Sequence, residues 1–205
     1  MLFDISRSAL AAVFDEDRLT TLPAGAFAPR VADTEGARLL QTVGVPSGTL
    51  RLRVPGDDCG RLPLVKDLVH AETLEDAPAG AGDWPVIGWL LDAHLALAPG
   101  SGAVYAFGLE EERARRLHTD VSSLVQVTFR FQRLLEEFTF SGDDDDEEAG
   151  FERLEREVEC IREETTSIDP FPFQDDETIW SVVGEEIAAG QRFRAGSPGA
   201  RSRFG

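Results

Sequence analysis

The stretch from Val121 to Phe138 limits the possible folds more than any other part of this chain. Val121, Leu124, Val125, Val127, Phe129, Phe131, Leu134, Leu135 and Phe138 recur at helical spacing and leave one narrow polar stripe, Gln126, Arg130, Arg133 and Glu137. A helix that is apolar around most of its circumference has to be covered on most sides. Thr119 or Asp120 supplies an N-cap. Two further helices follow. Residues 151–165 carry a single thin seam, Phe151, Leu154, Val158 and Ile161, with charge elsewhere, which predicts an outer helix. Glu152 four residues before Arg156 adds a few tenths of a kcal/mol of helix support. The last helix is expected to start near Asp175 or Asp176, where acids suit the positive end of the macrodipole, and to bury Ile179, Val182, Val183 and Ile187 with Trp180 nearby.

The sequence before these helices reads differently. Ile5, Ala9, Leu10, Val13 and Phe14 predict an opening helix over 5–14, and Asp33 or Thr34 caps a short one carrying Leu39, Leu40 and Val43. Gly44 and Pro46 end it, because glycine tolerates a left-handed cap and proline cannot continue a helix. Leu50, Leu52 and Val54 alternate with Arg51 and Arg53, as in a strand with one buried face. Residues 56–60 read as a loop. The apolar runs Pro85–Leu91, His94–Ala98 and Ala103–Phe107 are strand-like, and Pro99-Gly-Ser-Gly102 is a turn between the last two. Consecutive strands on short turns predict one mainly antiparallel sheet over 50–118, with the 120–138 helix on it. The fold class is therefore α+β, ending in a run of three helices.

Charge narrows the function classes. Thirty-eight acids against twenty bases give −18, and Arg192, Arg194, Arg201 and Arg203 all fall in the final fourteen residues. Without those four the balance is −18 − 4 = −22. Such a surface repels nucleic acid and anionic membranes and attracts a basic partner over long range. The same acidity also keeps a cytoplasmic protein soluble. The run Asp143, Asp144, Asp145, Asp146, Glu147 and Glu148 self-repels and is expected to form an acidic loop over 142–150. Beyond Gly190 the basic sequence lacks periodicity, which predicts a disordered tail over 191–205 after a single domain over 1–190. Cys59 and Cys160 are read as two free, buried thiols in a reducing cytoplasm. The start of the sequence lacks the pattern of a secretory signal, and no apolar run nears the roughly 18 residues of a membrane span.

No catalytic pattern emerges. A calcium loop begun at Asp145 would put Ala149 at the fifth position and Arg156 at the twelfth, where a bidentate glutamate is needed. His70, His94 and His118 lie far apart without a neighbouring cysteine, so neither metal nor cofactor is expected. Gly80-Ala-Gly82 is too short for a phosphate cradle, and no serine-nucleophile or metalloprotease motif occurs. Trp84, Trp89 and Trp180 could line a groove, although core and hairpin packing is the commoner use of such residues.

The order of several short strings carries a resemblance. Val43-Gly44-Val45-Pro46, Val86-Ile87-Gly88 and Gly102-Ala-Val-Tyr-Ala106 are similar to the SUKH superfamily of bacterial immunity proteins. Asp120-Val-Ser-Ser-Leu124, Ile168-Asp169-Pro170 and Trp180-Ser-Val-Val-Gly-Glu-Glu-Ile187 resemble its fourth subgroup, and the likeness spans about 9–190. This resemblance implies a curved sheet flanked by helices. It also implies a non-catalytic protein that binds and neutralises a cognate toxin, often a nuclease or nucleic-acid deaminase. A SUKH-like scaffold or regulatory partner in another bacterial assembly is the alternative. Nucleases and deaminases present basic clefts to a phosphate backbone. The expected partner is thus a basic protein toxin, not nucleic acid or membrane, and Asp143, Asp144, Asp145, Asp146, Glu147 and Glu148 are the expected contact residues.

Overall fold

The computed structural model describes residues 1–55, 60–108, 113–140, 147–194 and 197–204. They fall into two compact units, Met1–Thr128 and Phe129–Gly205.

In the first unit, helix α1 (Arg7–Ala11) starts at Ser6, whose hydroxyl accepts the Ala9 N–H. It is shorter than the expected 5–14, because residues 12–14 continue as a turn. Strand β1 (Leu19–Thr20), helix α2 (Pro29–Ala32) and helix α3 (Glu35–Thr42) follow. Thr34 caps α3 by accepting the Ala37 N–H. Gly44 then sits at φ 81°, and a Cβ there would lie 2.6 Å from the Thr20 carbonyl oxygen. A left-handed residue without a side chain is thus what lets β2 (Val45–Pro46) fold back and pair antiparallel with β1.

Strands β3 (Arg51–Leu52), β4 (Val86–Leu90), β5 (Ala93–Leu97), β6 (Val104–Gly108) and β7 (Ala114–His118) form one antiparallel sheet in sequence order. The small β1–β2 ribbon and strand β7 were not legible as separate elements in the sequence. β7 reads Ala-Arg-Arg-Leu-His, with too little apolar alternation to stand out. At the other edge β4 comes very close to β3, where a Cβ on Gly88 would lie 2.5 Å from the Arg51 carbonyl oxygen.

Both faces of the sheet are covered. On one, Val86, Ala96 and Phe107 pack with Val65 and Ala81 in a buried cluster that Leu68, Leu74, Trp84 and Tyr105 flank. Three 3-10 turns, Val65–Asp67, Ala71–Leu74 and Ala81–Asp83, carry that cover. Leu95 and Leu97, the neighbours of Ala96, point the other way and are fully buried. Burial on both faces explains why β5 is almost continuously apolar instead of alternating. On the helix side, helix α4 (Val121–Glu137) buries Val121, Leu124, Val125 and Val127 completely. A Cβ on Gly36 of α3 would meet Val121 Cγ2 at 2.8 Å and Leu97 Cδ1 at 3.5 Å. The start of α4, α3 and β5 therefore meet with no room for another methyl group.

In the second unit, the rest of α4 is joined by helix α5 (Glu147–Thr166) and helix α6 (Ile179–Ala188). Phe131 stacks on Trp180 (centroids 5.6 Å apart, 18° between planes) and meets Phe173 edge-on at 6.1 Å. Leu154 and Ile161 of the expected α5 seam are buried, while Phe151 and Val158 are half-buried. Gly184 lets α6 approach α5, since its Cβ would lie 3.1 Å from Val158 Cγ1. α6 starts later than expected and is capped by Thr178, which accepts the Ser181 N–H; Asp175 and Asp176 sit in the turn before it.

The segment beyond Gly190, expected to be disordered, carries structure over 191–194 and 197–204. Arg192 pairs with Glu186 at 2.5 Å, Phe193 packs 6.0 Å from Phe138 and 5.7 Å from Phe140, and helix α7 (Pro198–Phe204) follows. Isolated aromatic anchors of this kind leave no periodic trace in a sequence. Of the acidic run, Asp143, Asp144, Asp145 and Asp146 lie outside the described residues, whereas Glu147 and Glu148 begin α5.

The aromatic stack gives a stability test. Phe131→Ala removes a fully buried ring, and loss of transfer energy plus a residual cavity should cost about 3–5 kcal/mol in a urea titration.

Candidate functional site

Chemistry was sought first among the residues that could perform it. His118 and Ser123 are both fully buried, with the His118 Nδ1 2.9 Å from the Ser123 hydroxyl oxygen. The pair has the residue types of a base and a nucleophile. However, it is sealed from any substrate, and Asp120 accepts from the Ser122 hydroxyl and the Ser123 N–H at the start of α4. This is helix-end structure. His70 is exposed, and among the described residues no group of three or more His, Cys, Asp or Glu is arranged to hold a metal.

Cys160 is exposed, not buried as the sequence reading had it, because it lies off the thin α5 seam. Its thiol donates to Glu164 Oε1 at 3.3 Å, and this hydrogen bond first, then desolvation, raises its pKa. A raised thiol pKa makes a weak nucleophile. Cys59 lies outside the described residues. No described helix is long and apolar enough to cross a membrane.

The tryptophans take three separate roles. Trp180 belongs to the aromatic core of the second unit, and Trp84 packs 5.0 Å from Tyr105 against the sheet cover. Trp89 alone lines an open site. It borders a cleft of about 690 Å³ at the β3 edge of the sheet, together with Arg53, Val54, Pro55, Arg61, Leu62, Pro63 and Asp67. The Arg53 guanidinium lies 5.8 Å from the Trp89 ring centre, in reach of the negative face of the indole. Arg51 is paired in register with Trp89, and Trp89 with His94. Val54 stands 55% exposed at the rim. Asp67 is engaged by the Leu64 N–H at 3.0 Å.

Arg51 and Arg53 make no side-chain hydrogen bond or ion pair among the described residues. What sets these two apart is their place beside an open cleft and the Trp89 ring, where an outside carboxylate could reach them. A second groove, of about 310 Å³ between α4 and α5, shows the contrast. There Arg130 pairs with Glu164 at 2.6 Å and Arg133 with Glu137 at 3.3 Å. Arg153 covers the Phe138 ring at 4.8 Å and donates to the Thr139 carbonyl. Every arginine of that groove is internally satisfied; Arg51 of β3 and Arg53 just past it are not. The sequence pattern held a trace of this, since Arg51 and Arg53 were visible as the outward residues of a strand. Nothing in it distinguished a solvated face from the wall of a cleft.

The described residues thus define an α+β protein with an antiparallel sheet, helices and an open cleft at the sheet edge. A family model described as SUKH-4 immunity protein matches residues 5–186. The chain belongs to that family, and residues 187–205 lie beyond the match. No curated protein and no solved structure matches the chain.

The cleft also predicts a pH response. The Nδ1 of His94 is buried without a partner, and desolvation, with the Arg53 charge second, lowers the pKa of this imidazole from 6.5. As pH falls, the unfolded chain takes up the proton first, so stability is present above about 6.5 and declines below it. Thermal melts between pH 7.5 and 5 should show this loss, and His94→Gln should lose less over the same range.

Proposed function

We propose that this chain neutralises a cognate protein toxin by direct contact, the toxin being a nuclease or nucleic-acid deaminase with a basic surface. The observation that carries the reading is the family match over residues 5–186. Because the match crosses from one compact unit into the other, residues 1–190 are read as one functional domain acting in the cytoplasm of the producing cell. Its role is binding and not catalysis. Two features support this. The His118–Ser123 pair is buried and inaccessible, and the net charge of −18 favours encounter with a basic protein while opposing nucleic acid and anionic lipid. Charge complementarity of this kind speeds association and selects partners more than it deepens affinity.

The direct test pairs this chain with the toxin domain encoded beside it. Co-expression should restore growth of cells making that domain, and the two chains should co-purify as a stoichiometric complex. Absence of both rescue and complex would defeat the proposal.

Asp143, Asp144, Asp145, Asp146, Glu147 and Glu148 are proposed to take part in recruitment without anchoring the complex. Exposed ion pairs return only about 0–1 kcal/mol each, and their attraction is screened over about 8 Å at physiological salt. Replacing all six with Ser or Asn should slow association several-fold at low salt, and little at physiological salt, with dissociation unchanged. Stopped-flow binding at two salt concentrations measures both rates, and a large rise in dissociation rate would refute the assignment.

A further inference from the structure

The cleft at the β3 edge has three properties that belong together. Arg53 lines it and Arg51 stands beside it in register with Trp89, both without a carboxylate partner among the described residues; Leu62 and Pro63 give it apolar lining, and its rim exposes Val54 and Trp89 in part. From these we infer that the Arg51–Arg53–Trp89 cleft is the anchor of the toxin complex, receiving a protruding toxin loop with a carboxylate beside an apolar side chain. The inference rests on the toxin-binding reading above and names its surface.

The charge argument starts from what an unpaired arginine costs in an acidic chain. Several other arginines have found acids: Arg7 with Glu16, Arg130 with Glu164, Arg162 with Asp176 and Arg192 with Glu186. Arg51 of β3 is paired in register with Trp89, and Arg53, just past the end of that strand, sets its guanidinium over the same indole. The guanidinium fork is shaped to grip a carboxylate through two parallel hydrogen bonds. With Arg53 held over the indole at 5.8 Å, less of that side chain's freedom remains to be lost when the carboxylate arrives. Leu62 and the ring of Trp89 would cover the apolar neighbour, and arginine and tryptophan are the residue types in which binding energy at interfaces concentrates.

A positive cleft on a negative protein also explains selection. The overall charge draws in any basic surface, but a basic patch placed on Arg51 and Arg53 would be repelled. Only a toxin that presents an acid at that point completes the contact. Attraction at long range and exclusion at short range would then be separate devices, and the second sets which toxin is bound.

The test uses the full chain and the toxin domain encoded beside its gene. Binding is measured for the wild type, Arg51→Glu/Arg53→Glu, Val54→Asp and Arg133→Glu, with thermal melts to confirm folding. Because Val54 is 55% exposed, Val54→Asp leaves the core untouched and keeps the test meaningful if the double variant folds poorly. The double reversal should weaken binding about a hundredfold or more, as loss of an anchoring charge pair does, and abolish rescue of growth. Val54→Asp should weaken it at least tenfold, and Arg133→Glu, in the internally paired groove, by less than threefold. If the wild type binds and the folded cleft variants bind within threefold of it, the cleft assignment falls while the immunity reading stands. If the wild type neither binds nor protects, both fall. If the wild type alone forms a dimer that the double reversal dissociates, the cleft holds a second copy of this chain and the assignment is overturned.

Discussion

Covering both faces of a five-stranded sheet is the constraint on which the rest of the first unit depends. The described acids of this unit stay outside that core, because almost every core position is aliphatic or aromatic. Val86, Ala96 and Phe107 take the 3-10 turns on one face, while Leu95 and Leu97 take the helix side on the other. The close contacts at Gly36 and Gly88 follow from the same demand, since cover on both faces leaves no slack between layers. The half-buried His94 lies at the margin of this cover, with its Nδ1 cut off from water and from any partner.

The acidic excess has been sorted in space and not merely accumulated. In the second unit the seam of α5 is so thin that carboxylates occupy most of its surface; Glu164 recruits Arg130 from α4, and Arg162 of α5 pairs with Asp176 in the turn before α6. Several of the bases there are consumed internally. On β3 they are left available. A count of charges sees only −18, whereas the pairing pattern distinguishes arginines tied to acids from those, such as Arg51 and Arg53, left available.

Much of the framework could be read before any coordinates. The α4 apolar pattern, the α3 stop at Gly44, the β5–β6 turn and the antiparallel order all follow from periodicity and turn chemistry acting over a few residues. What escaped were elements made by distant partners. β7 is a strand because β6 offers it a ladder, and β1 pairs with β2 only because Gly44 turns the chain back. The ordered segment around Phe193 depends on Phe138 and Phe140, more than fifty positions earlier. The α6 cap moved to Thr178 because a hydroxyl in the extended conformation can accept the Ser181 N–H there, and a nearby acid is no substitute for that geometry. The candidate site was less legible for a similar reason. Arg51 and Arg53 look like ordinary strand residues until Trp89 is brought alongside, with Arg51 in register beside it and Arg53 on the wall of the cleft.

The brevity of β3 has a consequence for the protein on its own. An edge strand offers spare backbone hydrogen bonds to any extended chain that meets it, and a long apolar edge invites sheet-to-sheet growth. Here the ladder is two residues long, and Arg51 and Arg53 at it have no acid paired with them among the described residues. A stray strand would gain very few hydrogen bonds and would have to lie across two like charges. The edge is therefore guarded against its own kind: a crowded cell full of identical acidic copies finds no template there on which a fibre could begin.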